Sequence, residues 1–223
     1  MGYILPDVYK LICTDSGQEM PKIFIETGTF KGGVPHRILE TYKQLDDCFD
    51  FYYTIELGTD ICKIASKRYK YFEQGIFDHN KIHTDELDNS FDNQCSYLND
   101  RLTLINDDSV NALKDLLPNI NQRVCFWLDA HSGAQKYARG LVDVPLLQEL
   151  DVIKQHPIKN HIIAIDDAHL FGELQTDRSG TVTCDYRDVT FGRVRDKILE
   201  INPKYDVGIY APYDMKMLIA FVP

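Results

Sequence analysis

Ile25-Glu-Thr-Gly-Thr-Phe-Lys-Gly-Gly33 is the stretch from which the fold is best read. It follows the short β-rich run Lys22-Ile-Phe-Ile-Glu26 and precedes a helix-like stretch over Val34 to Leu45. Strand, glycine turn, helix is the opening unit of a βαβ fold. Gly28 is read as allowing close backbone approach to a ligand, and Gly32 and Gly33 as opening the next helix. The spacing is G-x-x-x-G-G rather than the dinucleotide pattern G-x-G-x-x-G, and the turn carries an acid, Glu26. A carboxylate there repels pyrophosphate and suits a cationic amine.

Outward from this turn, strand-like and helix-like stretches alternate. Phe51-Tyr-Tyr-Thr-Ile-Glu56, Leu102-Thr-Leu-Ile105, Val124-Cys-Phe-Trp-Leu128 and His161-Ile-Ile-Ala-Ile165 read as strands. Ile61 to Phe72, Val110 to Leu117, a segment marked by Leu146, Leu147, Leu150 and Ile153, and Phe191 to Ile201 read as helices. Asp143 is placed to cap the third of these, with Pro145 in its first turn. Tyr205 to Ala211 and Met215 to Val222 form a closing hairpin around Pro212-Tyr-Asp214. Continuous apolar strands separated by helices call for a sheet covered on both faces, a doubly wound α/β fold. The long polar segments Glu73 to Asp100 and Gly172 to Asp188 fit no element and read as loops over a site.

Composition bounds the function. The chain has 223 residues, 24 Lys and Arg against 34 Asp and Glu, and a net charge of −10. Nucleic acid and anionic lipid are therefore disfavoured partners. No apolar run approaches the ~20 residues of a membrane span. Cys13, Cys48, Cys62, Cys95, Cys125 and Cys184 are scattered without a C-x-x-C pair, and the N-terminus lacks signal-peptide features. Both point to reduced thiols and a cytoplasmic protein.

In a doubly wound sheet, ligands bind beyond the carboxyl ends of the strands. Here each strand delivers polar groups to that edge: Glu26 to Gly33, then Glu56, then Asp107, Asp108 and Ser109, then Asp129-Ala-His131, then Asp166-Asp-Ala-His169. Glu56 can accept hydrogen bonds from two ribose hydroxyls. Asp108 and Ser109 can reach an adenine amino group or cap the next helix. Asp129, Asp166 and Asp167 would crowd like charges unless a hard divalent cation sits among them. His131 and His169 follow the acids at matching offsets and can serve as general base, metal ligand or orienting partner. His36, His79, His83, His156 and His161 lack such surroundings and read as surface or packing residues.

At this point the chain resembles a class I S-adenosylmethionine-dependent methyltransferase, a Rossmann-like seven-stranded sheet ending in an antiparallel hairpin. More narrowly, Ile25 to Gly33 is similar to the E-T-G-x-x-x-G-G turn of the macrocin-type sugar O-methyltransferases. Trp127-Leu-Asp-Ala-His-Ser-Gly133, Pro145-Leu-Leu-Gln-Glu-Leu150 and Ile165-Asp-Asp-Ala-His-Leu-Phe-Gly172 look like related glycan methyltransferases. The resemblance covers 21–223 as one catalytic core, preceded by an N-terminal helical segment over 1–20. It implies that Glu26, Thr27, Gly28, Thr29, Lys31, Gly32 and Gly33 approach the methionine part of the donor, with Glu26 near its ammonium. It implies Mg²⁺ or Mn²⁺ on Asp129, Asp166 and Asp167, a sugar or glycan hydroxyl as acceptor, and Asp129, His131 or His169 as the base. The chain departs from the macrocin-type pattern in carrying Asp129-Ala-His-Ser-Gly133 where those enzymes have D-G-D-x-Y. A homo-oligomer and a place in a larger glycan-building polypeptide both stay open. So do three other activities. A metal-dependent phosphohydrolase would need Lys31, Lys136 or Arg139 near the acids. A nicotinamide-dependent oxidoreductase is disfavoured by Glu26. A non-catalytic module would bind the donor product and turn nothing over.

Overall fold

The computed structural model describes residues 17, 19–33, 49–74, 76, 85–97, 100–133, 138–210 and 216–223. The strands are β1 (Ile23–Thr27), β2 (Phe51–Glu56), β3 (Gln94–Tyr97), β4 (Leu102–Asn106), β5 (Val124–Leu128), β6 (Ile162–Ile165), β7 (Leu174–Thr176), β8 (Val182–Asp185), β9 (Asp206–Tyr210) and β10 (Met217–Phe221). The helices are α1 (Thr59–Glu73), α2 (Ser109–Leu116), α3 (Leu146–Gln155) and α4 (Phe191–Ile201).

Eight strands form one sheet in the order β3-β4-β2-β1-β5-β6-β10-β9. β4, β2, β1, β5 and β6 run parallel, with Ile25 of β1 level with Tyr53 of β2 and Phe126 of β5. β10 is antiparallel to both β6 and β9, as the closing hairpin predicts. Its turn, Pro212-Tyr-Asp214, lies outside the described residues, as do the Val34–Leu45 helix and all but three residues of 1–20.

Every residue of β1, β5 and β6 is buried, which is why their sequences are almost unbroken apolar runs. Side chains alternate between two cores. Phe24, Tyr52, Leu102 and Trp127 face one side, where Tyr69 and Phe72 of α1 pack. Ile23, Ile25, Phe126 and Leu128 face the other, against Leu113 of α2, Leu150 of α3 and Val194 of α4.

Three expectations need correction. The sheet has eight strands rather than seven. The extra one, β3, lies inside the segment read as a loop and pairs antiparallel with β4. Its residues are polar, and only Tyr97 is buried, so its pattern shows no alternation to read. Tyr97 anchors it by donating to Ser66 Oγ at 2.6 Å, and Ser66 in turn donates to Asp88. The second long segment also contains structure, the β7–β8 hairpin. Its tip is closed by Asp177, which accepts from the amides of Ser179 and Thr181. Finally, Asp143 does not cap α3. Pro145 occupies the cap position, and no side chain accepts a hydrogen bond there. Asp143 instead accepts from Ser132 Oγ and from the amide of Asp185. It thereby ties the loop after β5 to the end of β8.

Candidate active site

The chain runs from β1 outward to β2 and β4, then returns to β5 on the other side of β1. The crevice at this reversal, outside the carboxyl ends of β1 and β5, is where a doubly wound sheet opens for a ligand. A cavity of about 320 Å³ lies there, a volume suited to a small molecule.

Gly28 sits at its wall with a φ of +79°, and its amide and that of Thr29 donate to Ile55 O at 2.9 and 3.1 Å. The close approach that requires a glycine is internal. A Cβ at position 28 would collide with the Asp129 carbonyl and stand 2.9 Å from Ala130 N. The backbone after β5 passes directly over this glycine, and Gly28 also lines the cavity. Gly32, with a φ of +76°, is likewise pressed against the Tyr69 ring.

Glu26 is 1% exposed and points to the Tyr69 side of the sheet, away from the cavity lining. Burial pushes its carboxyl well above the ordinary value, and the charges of Asp129 and Glu56 add to that while the Thr29 hydroxyl offsets part of it. Lys31 also stays out of the lining, in an ion pair with Asp85. Thr27 and Thr29 are buried beneath the turn, and Gly33 begins the next helix.

Glu56 lines the cavity and is held rigidly. Oε2 accepts from Phe30 N at 2.9 Å and Oε1 from Gly58 N at 2.8 Å. Each oxygen keeps a second lone pair for a ligand hydroxyl. Burial raises its pKa, and these amides pull it part of the way back. Asn106, the first of the polar residues that close the third sequence-read strand, fixes the loop after β2 by donating to the carbonyls of Glu56 and Leu57, both at 2.9 Å. Asp108 caps α2 through Oδ1, which accepts from Val110 N and Asn111 N. Both Asp108 and Ser109 also line the cavity, so capping and lining coexist.

At the other end, Asp129, His131 and Asp167 each offer one ligand atom, all within 4.8 Å of one another. His131 Nε2 lies 3.4 Å from Asp167 Oδ2 and 3.7 Å from Asp129 Oδ1. Its Nδ1 donates to Ser132 O at 2.7 Å, which fixes the ring. Burial alone would lower the His131 pKa. The Asp167 carboxylate, with Cys184, Asp129 and the Ser132 carbonyl behind it, instead pushes it up to about 11. Asp129 is shifted well upward, first by burial and then by Asp166. Asp167 is also partly desolvated, yet the hydrogen bond and charge of His131 and the charge of His169 hold it below its ordinary value. Its backbone is left-handed, with a φ of +53°, a conformation uncommon for a residue other than glycine.

Asp166 is buried beside this cluster and accepts the Asp167 amide at 2.8 Å. The structure therefore groups His131 with Asp129 and Asp167, and sets Asp166 next to them. His169 Nδ1 is 3.9 Å from Asp167 Oδ1, and its ring is largely exposed outside the lining. Two carboxylates and an imidazole at this spacing fit a divalent cation, and the nitrogen suits Mn²⁺ better than Mg²⁺.

Seven acids line the cavity, Glu56, Asp107, Asp108, Asp129, Asp143, Asp166 and Asp167, and no lysine or arginine does so among the described residues. Arg139 turns toward Asp143 and the Thr183 carbonyl. Sequence reading also missed Glu149, 1% exposed on α3 beneath the cavity. Its signal was an acid within the apolar stripe of Leu146, Leu150 and Ile153.

No family model matches the chain, and no curated protein is similar to it. Solved structures are similar in fold. A protein from Klebsiella pneumoniae assigned as an O-methyltransferase superposes with a TM-score of 0.50 at 14% identity, over 98% of this chain and 81% of its own. A protein from Staphylococcus aureus assigned as a caffeoyl-CoA O-methyltransferase gives 0.50 at 13% identity, over 99% and 85%. A precorrin-6y C5,15-methyltransferase from Geobacter metallireducens gives 0.50 at 8%, over 97% and 87%. The chain has the α/β Rossmann-like methyltransferase fold. No helix among the described residues is long and apolar enough to cross a membrane.

Proposed function

We propose that this chain is an S-adenosylmethionine-dependent O-methyltransferase that uses a divalent cation and acts on a hydroxyl of a sugar or glycan. The observation that carries the reading is the cavity lining, seven acids with no lysine or arginine among the described residues. Such a lining repels phosphate and pyrophosphate and favours a cationic ligand such as a sulfonium donor. It weighs against the oxidoreductase reading.

The donor would supply the methyl group, and a cation held by Asp129, His131 and Asp167 would lower the pKa of the acceptor hydroxyl. The chain's own residues then have distinct tasks. Glu56, clamped by two amides, presents its remaining lone pairs to a diol such as the donor ribose. Asp108 and Ser109, one strand further out, flank the base. Asp129 lines the cavity beside Asp166 and Asp167 and is the group we assign to take the acceptor proton. The acidic cavity suits a neutral acceptor.

Calorimetric titration with S-adenosylhomocysteine, with Mn²⁺ and with EDTA, tests the donor site first. Micromolar binding in both is expected, followed by metal-dependent methyl transfer to a panel of sugars. Absence of binding in both overturns the donor reading. Binding without any transfer points to the non-catalytic module.

A further inference from the structure

The β7–β8 hairpin forms a two-stranded sheet of its own, and no backbone ladder joins it to the eight-stranded sheet among the described residues. Its place beside the site therefore rests on side chains. The base is anchored, since Cys184 and Tyr186 are buried in the core on the α2, α3 and α4 side. The tip is exposed. Between that base and the loop after β5 stands Asp143. Its Oδ1 accepts from Ser132 Oγ at 3.0 Å, and its Oδ2 accepts from Asp185 N at 3.1 Å. Its carbonyl accepts from Ser132 N at 2.6 Å and from Cys184 Sγ at 3.8 Å. Arg139 closes the group, 3.6 Å from Asp143 Oδ1 and donating to the Thr183 carbonyl at 3.3 Å.

Both donors of Ser132, its amide and its hydroxyl, thus end on one residue. That fixes the Ser132 backbone and rotamer together. Its remaining polar group, the carbonyl, accepts from His131 Nδ1 at 2.7 Å. Tyr186, the first residue after β8, faces the same imidazole, with ring centroids 5.9 Å apart and planes tilted by 51°. Held at Nδ1 and backed by this ring, the imidazole turns Nε2 toward Asp167 and Asp129. An imidazole at a metal site needs its other nitrogen fixed by a partner. Here the partner is a peptide carbonyl, and the group that fixes the peptide is a carboxylate bound to the hairpin.

We propose that Asp143 is a positioning residue for the cation site: it clasps the β7–β8 hairpin to the loop after β5 and so holds His131 Nε2 toward Asp129 and Asp167. This rests on the cation reading above. A clasp acts through the fraction of time the ring spends in the right place. If its loss leaves the ring there about a tenth of the time, the apparent dissociation constant of the cation rises about tenfold. Coupling is reciprocal, so the bound cation must also hold the hairpin in place.

The test is Mn²⁺ titration of the full chain, with the free ion read by electron paramagnetic resonance. Asp143→Ala should weaken Mn²⁺ binding by about tenfold or more. Asp143→Asn should keep most of the affinity, because its amide oxygen can accept from Asp185 N while its amide nitrogen donates to Ser132 Oγ. This pair separates a clasp from a charge, since an anion acting directly on the cation is lost in both variants. Ser132→Ala should cost less than Asp143→Ala, and the double variant should go no further than Asp143→Ala alone, as expected of residues acting as a unit. Saturating Mn²⁺ should slow hydrogen exchange along β8 in the wild-type protein and leave it unchanged in Asp143→Ala. An Asp143→Ala protein with wild-type affinity overturns the proposal, as does an Asp143→Asn protein as weak as Asp143→Ala. Should Asp143→Ala not fold, wild-type affinity in Ser132→Ala together with exchange along β8 that ignores Mn²⁺ overturns it. If the wild-type protein binds no Mn²⁺, the cation reading itself fails and this proposal falls with it.

Discussion

Two histidines stand at opposite edges of the same sheet and are treated in opposite ways. His131 follows β5 at the carboxyl edge, between two carboxylates that push it up to about 11. His161 precedes β6 at the amino edge, fully buried, and is driven down to about 3 by burial, with the charges of His156 and Arg123 adding to the effect. Its surroundings form a closed relay. Val124 N donates to His161 Nδ1 at 3.1 Å, His161 Nε2 donates to His156 Nδ1 at 3.1 Å, and His156 Nε2 donates to Ile120 O at 2.8 Å. Accepting at Nδ1 and donating at Nε2 requires the His161 ring to be neutral. The amino edge has spent its polar groups on itself, whereas the carboxyl edge leaves acids facing a cavity. The contrast separates a histidine that holds the fold from one that belongs to a site.

The largest effect that can sharpen this contrast is expected at Asp167. Asp167→Ala should lower methyl transfer by about a thousandfold, because a ligand and the principal partner of His131 go together. Binding of S-adenosylhomocysteine should change little, and Mn²⁺ retention, read by electron paramagnetic resonance, should fall. Unaltered metal retention and rate would remove the cation from Asp167.

At the opposite edge, His161→Phe should leave the activity per folded molecule unchanged and destabilise the fold by about 2–4 kcal/mol. It strands Val124 N without its partner and leaves His156 Nδ1 only the amide of Ile158. Urea unfolding with a parallel rate assay separates the two quantities. A loss of specific activity without a loss of stability would break the distinction between the edges.

The same residue sets an acid limit. The unfolded chain protonates its histidines near 6.5, while folded His161 resists until about 3. Between those values the unfolded state binds the extra proton, so stability is full above pH 6.5 and falls as the pH falls. The loss attributable to His161 is about 2 kcal/mol between pH 7 and 5. His161→Phe should flatten that part of the profile, and a wild-type curve flat over the window would refute the neutral relay.

The smallest effect belongs to Glu56. Glu56→Gln keeps the shape, forfeits one of its two amide acceptor contacts, and should weaken S-adenosylhomocysteine binding about tenfold, with melting temperature nearly unchanged. An unaltered dissociation constant would move the ribose elsewhere.

Much of this could be read from the chain before any coordinates. β5 and β6 are apolar at nearly every position because both faces are covered, and each is followed by an aspartate at the sheet edge. The bounds of α4 coincide with those expected, since Thr190 caps it and its apolar residues recur at helical spacing. What escaped had weak or misleading local signals. β3 and the β7–β8 hairpin lie at edges, where exposed polar residues show neither helical nor strand periodicity. Asp143 sits three residues before α3 and resembles a cap, but its partners come from Ser132 and Asp185, far away in sequence. That His131 stands with Asp129 and Asp167 while Asp166 lies beside them is a matter of backbone path, which residue type alone does not announce.

The contact between Gly28 and the Asp129 backbone has a consequence for how sensitivity to substitution should be interpreted. In a deep mutational scan, position 28 will tolerate almost nothing, and the habitual interpretation would credit a bound molecule. Here the intolerance has a complete explanation with the cavity empty, a positive φ and a carbonyl where a methyl group would be. Glu56, by contrast, should tolerate a glutamine in any selection for folded protein and fail it only in a selection for activity. The pair would calibrate such a scan from within, one position reporting architecture and the other reporting use.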